Sequence, residues 1–255
     1  MKLNFRRMMT GLLLPALLVI IALVTVSIYP QVAIADDFTK ATLPIDSDFS
    51  WGVFTTTNGW VDPGEFRQQN EKFYAQYQSG TLDIHEYVRF ATAAIKHQGE
   101  EKFAAAHRQF MQNVVRPAIT EPALALIRQH SQAGDAAVIV TATNELITRP
   151  IAQAFGVPEL IAVELERHHV PGGWITGEIK GVPSMREGKV TRVEAWLAAR
   201  SLGWAGIDST FYSDSINDLP LLEQVNHPVA TNPDDRLRAI AQARGWRILD
   251  LFSKQ

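Results

Sequence analysis

The second half of the chain alternates between short apolar runs and helical patterns, and this alternation restricts the fold more than any other feature. Strands that alternate with helices form parallel sheets covered on both faces, so the pattern predicts an α/β fold. A hairpin is also predicted at 160–165 and 174–179, around the turn Pro171-Gly172-Gly173. The predicted strands lie at 137–140, 209–212, 228–230 and 246–251, and the helices at 144–155, 188–199, 219–225 and 234–244.

The region before this alternation is helical throughout. From about Asp62 to Gly134 apolar residues recur at helical spacings, as Phe66, Phe73 and Tyr77 do at seven and four residues. These spacings place apolar side chains on one face of a helix, and no segment here has the pattern of a strand. We therefore predict an N-terminal segment at 1–30, an α/β core at 31–48 and 135–255, and a helical insert at 49–134.

The composition is that of a globular protein and excludes several kinds of site. Of the 255 residues, 46% are apolar and 20% are charged, which leaves room for one large domain or a core with an insert. The chain has no cysteine, which excludes a disulfide framework, a thiol nucleophile and a cysteine zinc site. The formal net charge of −3 gives no reason to expect nucleic acid as a partner.

The N-terminus predicts a membrane anchor or a secretory signal. Residues 11–29 are uncharged and follow three basic residues within the first seven positions. This run is close to the ~20 residues of a spanning helix, whereas Ala33-Ile34-Ala35 fits the cleavage site of a signal peptide. Either interpretation places the rest of the chain across the membrane, anchored or exported to the periplasmic side, because the positive flank stays inside. A buried core helix in a cytoplasmic protein is the alternative.

The segment after the predicted strand at 209–212 carries two carboxylates. Asp214 and Asp218 are separated by small and polar residues, at the end of a strand where open α/β sheets bind ligands. Two such carboxylates can hold a hard cation through oxygen ligands. The alternative is a turn in which an aspartate caps the next helix.

Two further segments have the residues of a phosphate site. Thr141 directly follows a predicted buried strand and Asn144 begins the next helix, an arrangement that directs a hydroxyl and helix amides at an anion. Lys189, three residues after Arg186, stands at the start of a helix, where a cation opposes the helix dipole. A capping role for Thr141 and a solvated position for Lys189 are the alternatives.

In their order along the chain, these segments resemble the haloacid dehalogenase-like hydrolases, subfamily IB, in the branch around phosphoserine phosphatase. The resemblance covers about residues 46–252 and rests on Asp46-Ser47-Asp48, on VIVTATN at 138–144, on REGKV at 186–190 and on YSDSINDLPLL at 212–222. It implies a Rossmann-like parallel sheet with a helical cap inserted after the first strand. It also implies a phosphatase that acts on a small polar phosphate ester through an aspartyl-phosphate.

The resemblance assigns roles to individual residues. It implies that Asp37 attacks phosphorus, that Thr39 stands at the acid/base position, and that Lys189 neutralises the phosphoryl group. It implies a Mg²⁺ ion that offsets the charge repulsion between nucleophile and phosphate. The implied metal-binding residues are Asp37, Thr39, Asp214 and Asp218, and the implied substrate-binding residues are Thr141, Ala142, Asn144, Arg186 and Asp46.

The first motif departs from the family pattern of Asp-x-Asp-x-Thr. Counting back from Asp46 puts the nucleophile at Asp37 with Thr39 two positions later, whereas matching the apolar run puts Asp36 first with Phe38 two later. Neither register supplies the second carboxylate, and threonine is a poor acid for an alkoxide. The alternative function is therefore a catalytically impaired scaffold that binds phosphate or a partner protein. A displaced start or shifted reading frame upstream of Asp46 would also explain the departure.

Overall fold

The computed structural model of the protein describes residues 23–24, 31–35 and 43–251. Its strands are β1 (Leu23–Val24), β2 (Gln31–Ala35), β3 (Ala136–Asn144), β4 (Glu159–Val163), β5 (Leu165–Arg167), β6 (Ile175–Ile179), β7 (Asp208–Ser213), β8 (His227–Thr231) and β9 (Arg247–Leu249). Its α-helices are α1 (Ser47–Thr57), α2 (Pro63–Ser79), α3 (Ile84–Gln98), α4 (Glu100–Phe110), α5 (Arg116–Ala118), α6 (Glu121–Ala133), α7 (Glu145–Phe155), α8 (Glu187–Ala198), α9 (Leu219–Leu222) and α10 (Asp235–Arg244). A π-helical turn (Met111–Val115) joins α4 to α5, and short 3₁₀ turns lie at Trp204–Gly206 and Ile216–Asp218.

The predicted parallel sheet is confirmed. Six strands run parallel in the order β4-β3-β2-β7-β8-β9, and the two-residue β1 lies antiparallel beside β2 and β3. The central position of β2 is fixed on both sides, because Ile34 pairs with Val138 of β3 and Gln31 pairs with Asp208 of β7. Val138, Ile139 and Val140 are buried, as expected for a strand covered by helices on both faces.

Helices α1 to α5 lie between β2 and α6 in the chain and form the predicted cap. An aspartate begins each of the first three, because the side chains of Asp46, Asp62 and Asp83 accept hydrogen bonds from the first backbone amides of α1, α2 and α3. Helix α6 packs against β3 of the sheet. We therefore propose that the cap ends before α6, near residue 120, and the other domain boundaries stay predictions.

The cap has its own aromatic core. Trp51 of α1 is 2% exposed, and its ring lies 5.5 Å from that of Phe103 and 5.3 Å from that of Phe110. The β5–β6 hairpin, which belongs to the core in sequence, packs against α3 of the cap. Trp174, just before β6, donates its indole N–H to the carbonyl of Ile95 at 3.1 Å. The hairpin therefore connects the cap to the sheet-bearing part of the chain.

The predicted membrane anchor or signal segment is contradicted. Leu23 and Val24, which fall within the uncharged run 11–29, form β1, and Leu23 pairs with Ala33 of β2 and with Ala137 of β3. A membrane-spanning helix makes its backbone hydrogen bonds within itself, whereas these residues pair with other strands. Within the ranges that the structure describes, no helix combines the length and the apolar character needed to cross a bilayer. The remaining positions of the run lie outside the described residues.

Candidate active site

Two of the predicted site residues lie at the edge of the sheet at which the parallel strands end. Strands β3 and β7 bring Thr141 and Asp214 to this edge, and β2 ends at Ala35 between them. In open α/β sheets this edge is the usual place for ligands. Asp37 and Thr39, and the alternative nucleophile Asp36, lie outside the described residues, so their predicted roles stay predictions.

A buried ion pair joins two of the predicted segments. Lys189 Nζ lies 2.7 Å from Asp218 Oδ1 and 2.8 Å from Asp218 Oδ2, and both side chains are 3% exposed. Ser213, the last residue of β7, donates its hydroxyl to Asp218 Oδ2 at 2.8 Å. The carboxylate thus holds the ammonium group in place beside the end of β7. The alternative interpretation of Lys189 as a solvated surface lysine is therefore wrong.

Thr141 is fully buried and lies within β3, which continues to Asn144 rather than ending at Val140. Its hydroxyl oxygen accepts the backbone N–H of Thr143 at 3.0 Å. Its carbonyl accepts a hydrogen bond from the Ser184 hydroxyl at 2.5 Å, which ties the segment before α8 to β3. These contacts fix Thr141 four residues before α7 begins.

Asn144 and Asp46 both act as helix caps. Asn144 Oδ1 accepts the amides of Leu146 and Ile147 at 3.2 and 3.4 Å, so it begins α7, with the partly buried Ala142 two residues before it. Asp46 Oδ1 accepts the backbone amides of the residues two and three positions later, in α1, at 3.0 and 2.9 Å. Capping occupies one side-chain oxygen of each residue. Substrate contact by Ala142, Asn144 or Asp46 stays a prediction.

Asp214 directly follows β7 and is partly buried. Its backbone carbonyl accepts the amide of Asp234 at 2.8 Å, and Asp234 Oδ2 accepts the amide of Ile216 at 2.9 Å. Asp234 thus fixes the turn that carries Asp214, and it also caps α10 by accepting the amide of Leu237 at 2.8 Å. Asp234 is not among the predicted site residues, although an aspartate before a helical segment signals a cap.

Arg186 occupies a strained position just before α8. Its φ of 52° and ψ of −122° place a non-glycine residue outside the ordinary backbone regions. Its Nη2 is buried and has no hydrogen-bond partner among the described residues. A Cβ atom on Gly80, at the end of α2, would lie 3.8 Å from this Nη2 atom. The guanidinium group is therefore at the boundary between cap and core.

Tyr77 of α2 links the cap directly to the segment that carries Asp214. Its hydroxyl and the Ser215 hydroxyl lie 2.7 Å apart, and Asn217 donates its side-chain amide to the Tyr77 carbonyl at 3.3 Å. This link could not be predicted from the sequence, because Tyr77 matches the apolar period of its helix. These contacts place the C-terminal end of α2 over the end of β7.

The oxygen donors at this edge suit a hard divalent cation. Asp214 is partly buried and stands where β7 ends, whereas both oxygens of Asp218 contact Lys189. Among residues 23–24, 31–35 and 43–251, no three acidic or histidine side chains are clustered as metal ligands. The metal-binding roles predicted for Asp37, Thr39, Asp214 and Asp218 therefore stay predictions.

Comparisons with known proteins agree with this architecture. A sequence model of the family described as haloacid dehalogenase-like hydrolase matches residues 40–223. A histidinol-phosphatase from Neisseria meningitidis serogroup C (strain 8013) is 40% identical over 215 residues, which cover 84% of this chain and 96% of that protein. A crystal structure of a protein of unknown function from Bordetella pertussis Tohama I is 44% identical with a TM-score of 0.79, over 86% of this chain and 97% of that one. A substrate-bound phosphoserine phosphatase shares the fold at 16% identity with a TM-score of 0.60, over 85% and 91% of the two chains.

Proposed function

Because the chain belongs to the haloacid dehalogenase-like hydrolase family, we propose that it is a Mg²⁺-dependent phosphatase that cleaves small polar phosphate monoesters through an aspartyl-phosphate. The buried contact between Lys189 and Asp218 carries this proposal. An ammonium group buried at the end of a strand costs desolvation energy that its pair with Asp218 offsets only in part, and an anionic ligand such as phosphate would offset it further.

The described residues supply binding and charge stabilisation for such a reaction. Lys189 would donate to a phosphoryl oxygen, while Asp218 and Ser213 fix the direction of its ammonium group. Thr141 and Ala142, near the end of β3, would bind the remaining oxygens. When bound, Mg²⁺ supplies positive charge between the nucleophile and the phosphate, and Asp214 with Asp37 would hold it. Asp37 would attack phosphorus as the alcohol leaves, and water would then release phosphate.

The first motif predicts which esters react fastest. With Thr39 where the family has a second carboxylate, protonation of a leaving alkoxide lacks an efficient acid, a loss on the order of 10²–10⁴-fold. A p-nitrophenolate leaves without protonation. We therefore expect p-nitrophenyl phosphate to be hydrolysed much faster than alkyl phosphates. Similarity to the Neisseria histidinol-phosphatase supports histidinol phosphate as a substrate to be tested among the alkyl esters.

The test measures p-nitrophenyl phosphate hydrolysis with Mg²⁺ and with EDTA, in the parent chain, in Asp214→Asn and in Asp235→Asn. Asp235 is exposed at the start of α10 and serves as the matched control. We expect EDTA and Asp214→Asn each to remove most of the activity, and Asp235→Asn to retain it. Activity that survives both EDTA and Asp214→Asn would refute the proposal.

A catalytically impaired scaffold is the second candidate, and the missing carboxylate of the first motif favours it. Such a protein would bind inorganic phosphate at Lys189 without turnover. Phosphate binding in calorimetry that is lost in Lys189→Met, together with no Mg²⁺-dependent hydrolysis of any ester, would select this candidate. Turnover of p-nitrophenyl phosphate at rates ordinary for enzymes, about 1–10³ s⁻¹, would reject it.

A further inference from the structure

The turn that follows Asp214 makes two hydrogen bonds with a single residue of the cap. The hydroxyl groups of Tyr77 and Ser215 lie 2.7 Å apart, and the Tyr77 carbonyl accepts the side-chain amide of Asn217 at 3.3 Å. Ser215 and Asn217 stand one and three residues after Asp214. One residue of α2 therefore contacts this turn through both its side chain and its backbone.

A second set of contacts fixes the same turn to the core. The backbone amide of Asp234 donates to the Asp214 carbonyl at 2.8 Å, and Asp234 Oδ2 accepts the amide of Ile216 at 2.9 Å. These contacts do not involve the cap. Loss of the Tyr77 hydroxyl would therefore leave the turn attached to the core, but with more freedom around Asp214.

Hydrogen bonds also connect Tyr77 to the buried ion pair. Ser215 is 6% exposed, and its backbone amide donates to the Ser213 hydroxyl oxygen at 3.1 Å. Ser213 donates to Asp218 Oδ2 at 2.8 Å, and this carboxylate pairs with Lys189. Hydrogen bonds away from water are electrostatically stronger than exposed ones. The contact between Tyr77 and Ser215 is therefore linked to both predicted parts of the site, the metal-binding segment and the phosphate-binding lysine.

The affinity of a magnesium site is sensitive to the orientation of its ligands. Mg²⁺ requires nearly ideal octahedral geometry with oxygen atoms about 2.0–2.1 Å away, so a small displacement of a carboxylate weakens binding. Groups that orient a metal ligand typically contribute about 10- to 100-fold to metal affinity. Tyr77 contacts the residue next to Asp214 rather than its carboxylate, so a smaller contribution is expected.

We propose that Tyr77 is a positioning residue for the Mg²⁺ site: through Ser215 and Asn217, the cap holds Asp214 in the orientation that binds the metal ion. This inference rests on the proposed phosphatase function, because that function assigns Mg²⁺ to Asp214. The affinity for Mg²⁺ then depends on the contact between cap and core, and bound Mg²⁺ strengthens this contact by the same factor. Tyr77 takes no part in the transfer of the phosphoryl group.

The test compares the parent chain with Tyr77→Phe, which removes one hydroxyl group and keeps the ring. Calorimetry gives the Kd for Mg²⁺, and hydrolysis of p-nitrophenyl phosphate gives the Mg²⁺ concentration at half-maximal rate. We expect both values to rise about 3- to 10-fold, the range for loss of one hydrogen bond, and saturating Mg²⁺ to restore kcat to within about twofold of the parent. The control Tyr74→Phe removes the hydroxyl of an exposed tyrosine in the same helix and should change neither value.

A second variant, Ser215→Ala, removes the same hydrogen bond from the other partner, so it tests the contact even if Tyr77→Phe does not fold. The Ser215 hydroxyl oxygen also accepts the backbone amide of Asn217 at 3.2 Å, so this change should raise the Kd for Mg²⁺ at least as much. The double variant Tyr77→Phe with Ser215→Ala should match Ser215→Ala alone, because the bond is already absent. Additive losses in the double variant would overturn the inference.

The outcomes separate this inference from the proposed function. If Tyr77→Phe is less stable in urea but binds Mg²⁺ as tightly as the parent, the contact is structural only and the inference is overturned; Mg²⁺-dependent hydrolysis by the parent would still support the phosphatase. If the parent binds Mg²⁺ but hydrolyses no ester, the proposed function fails, and weaker Mg²⁺ binding in Tyr77→Phe would support the inference alone. A parent chain that binds no Mg²⁺ would overturn both.

Discussion

Replacement of Asp218 by asparagine is expected to lower the free energy of unfolding by about 3–5 kcal/mol, because it removes one partner of a buried ion pair. Both oxygens of the Asp218 carboxylate lie within 2.8 Å of Lys189 Nζ, and each side chain is 3% exposed. Solvent screening therefore reduces the interaction very little. Asparagine has the shape of aspartate, so the change removes the charge without opening a cavity.

Urea unfolding of the parent chain, Asp218→Asn and the control Asp235→Asn measures this difference. The control removes an exposed carboxylate and should change stability by less than about 0.5 kcal/mol. A double variant, Lys189→Met with Asp218→Leu, replaces both charges with apolar groups and should recover most of the loss. It should remain inactive, because the group proposed to bind phosphate is gone.

A loss below about 1 kcal/mol in Asp218→Asn would refute the reasoning, because it would mean that the ammonium group is stabilised equally well without this carboxylate. Failure of the double variant to exceed Asp218→Asn in stability would show that the cost does not come from the isolated charge. Full activity in the double variant would remove Lys189 from the proposed phosphate site.

Two further predictions concern the cap. A Cβ on Gly52 would lie 2.2 Å from the Phe66 ring, so Gly52→Ala should displace that ring and cost about 1–2 kcal/mol of stability in urea unfolding. The control Gly206→Ala meets no atom and should be neutral, and an unchanged stability of Gly52→Ala would contradict the close packing. Burial lowers the pKa of His107 from 6.5 to about 4, and a hydrogen bond to the Ile147 carbonyl opposes this shift only in part. As the pH falls, the unfolded chain therefore takes up a proton first, and between pH 7 and pH 5 the parent should lose about 2 kcal/mol more stability than His107→Gln. Equal pH profiles of the two proteins in urea unfolding would contradict this prediction.

Local sequence signals predicted most of the core. The apolar run ending at Val140 marks β3 because a strand buried on both faces needs continuous apolar residues. The turn at Pro171–Gly173 likewise marks the hairpin, although Glu164 splits its first strand into β4, which pairs with β3, and β5, which pairs with β6. The uncharged run at 11–29 was misinterpreted, because its length alone does not show that Leu23 and Val24 pair with distant strands.

The candidate site was predictable residue by residue but not as an arrangement. Lys189 and Asp218 each stood out in the sequence, yet their contact depends on how α8 packs beside the end of β7. Asp48 was visible in the sequence only as one acid after the first motif. Its hydrogen bond with the Tyr87 hydroxyl arises from the packing of α1 on α3. Tyr77 was hidden by its match to the apolar period of α2.

The central position of β2 has a consequence for synthesis on the ribosome. This strand is made near the start of the chain, but its neighbour β7 begins at Asp208, about 170 residues later. At about 5–20 residues per second, translation of the intervening residues takes roughly 9–35 s, and during this time one edge of β2 has no partner strand. Until then the nascent sheet presents an open row of amides and carbonyls, the kind of surface to which other chains adhere. Slower translation lengthens this interval, so the yield of native protein should depend on elongation speed and on chaperones that cover the exposed edge.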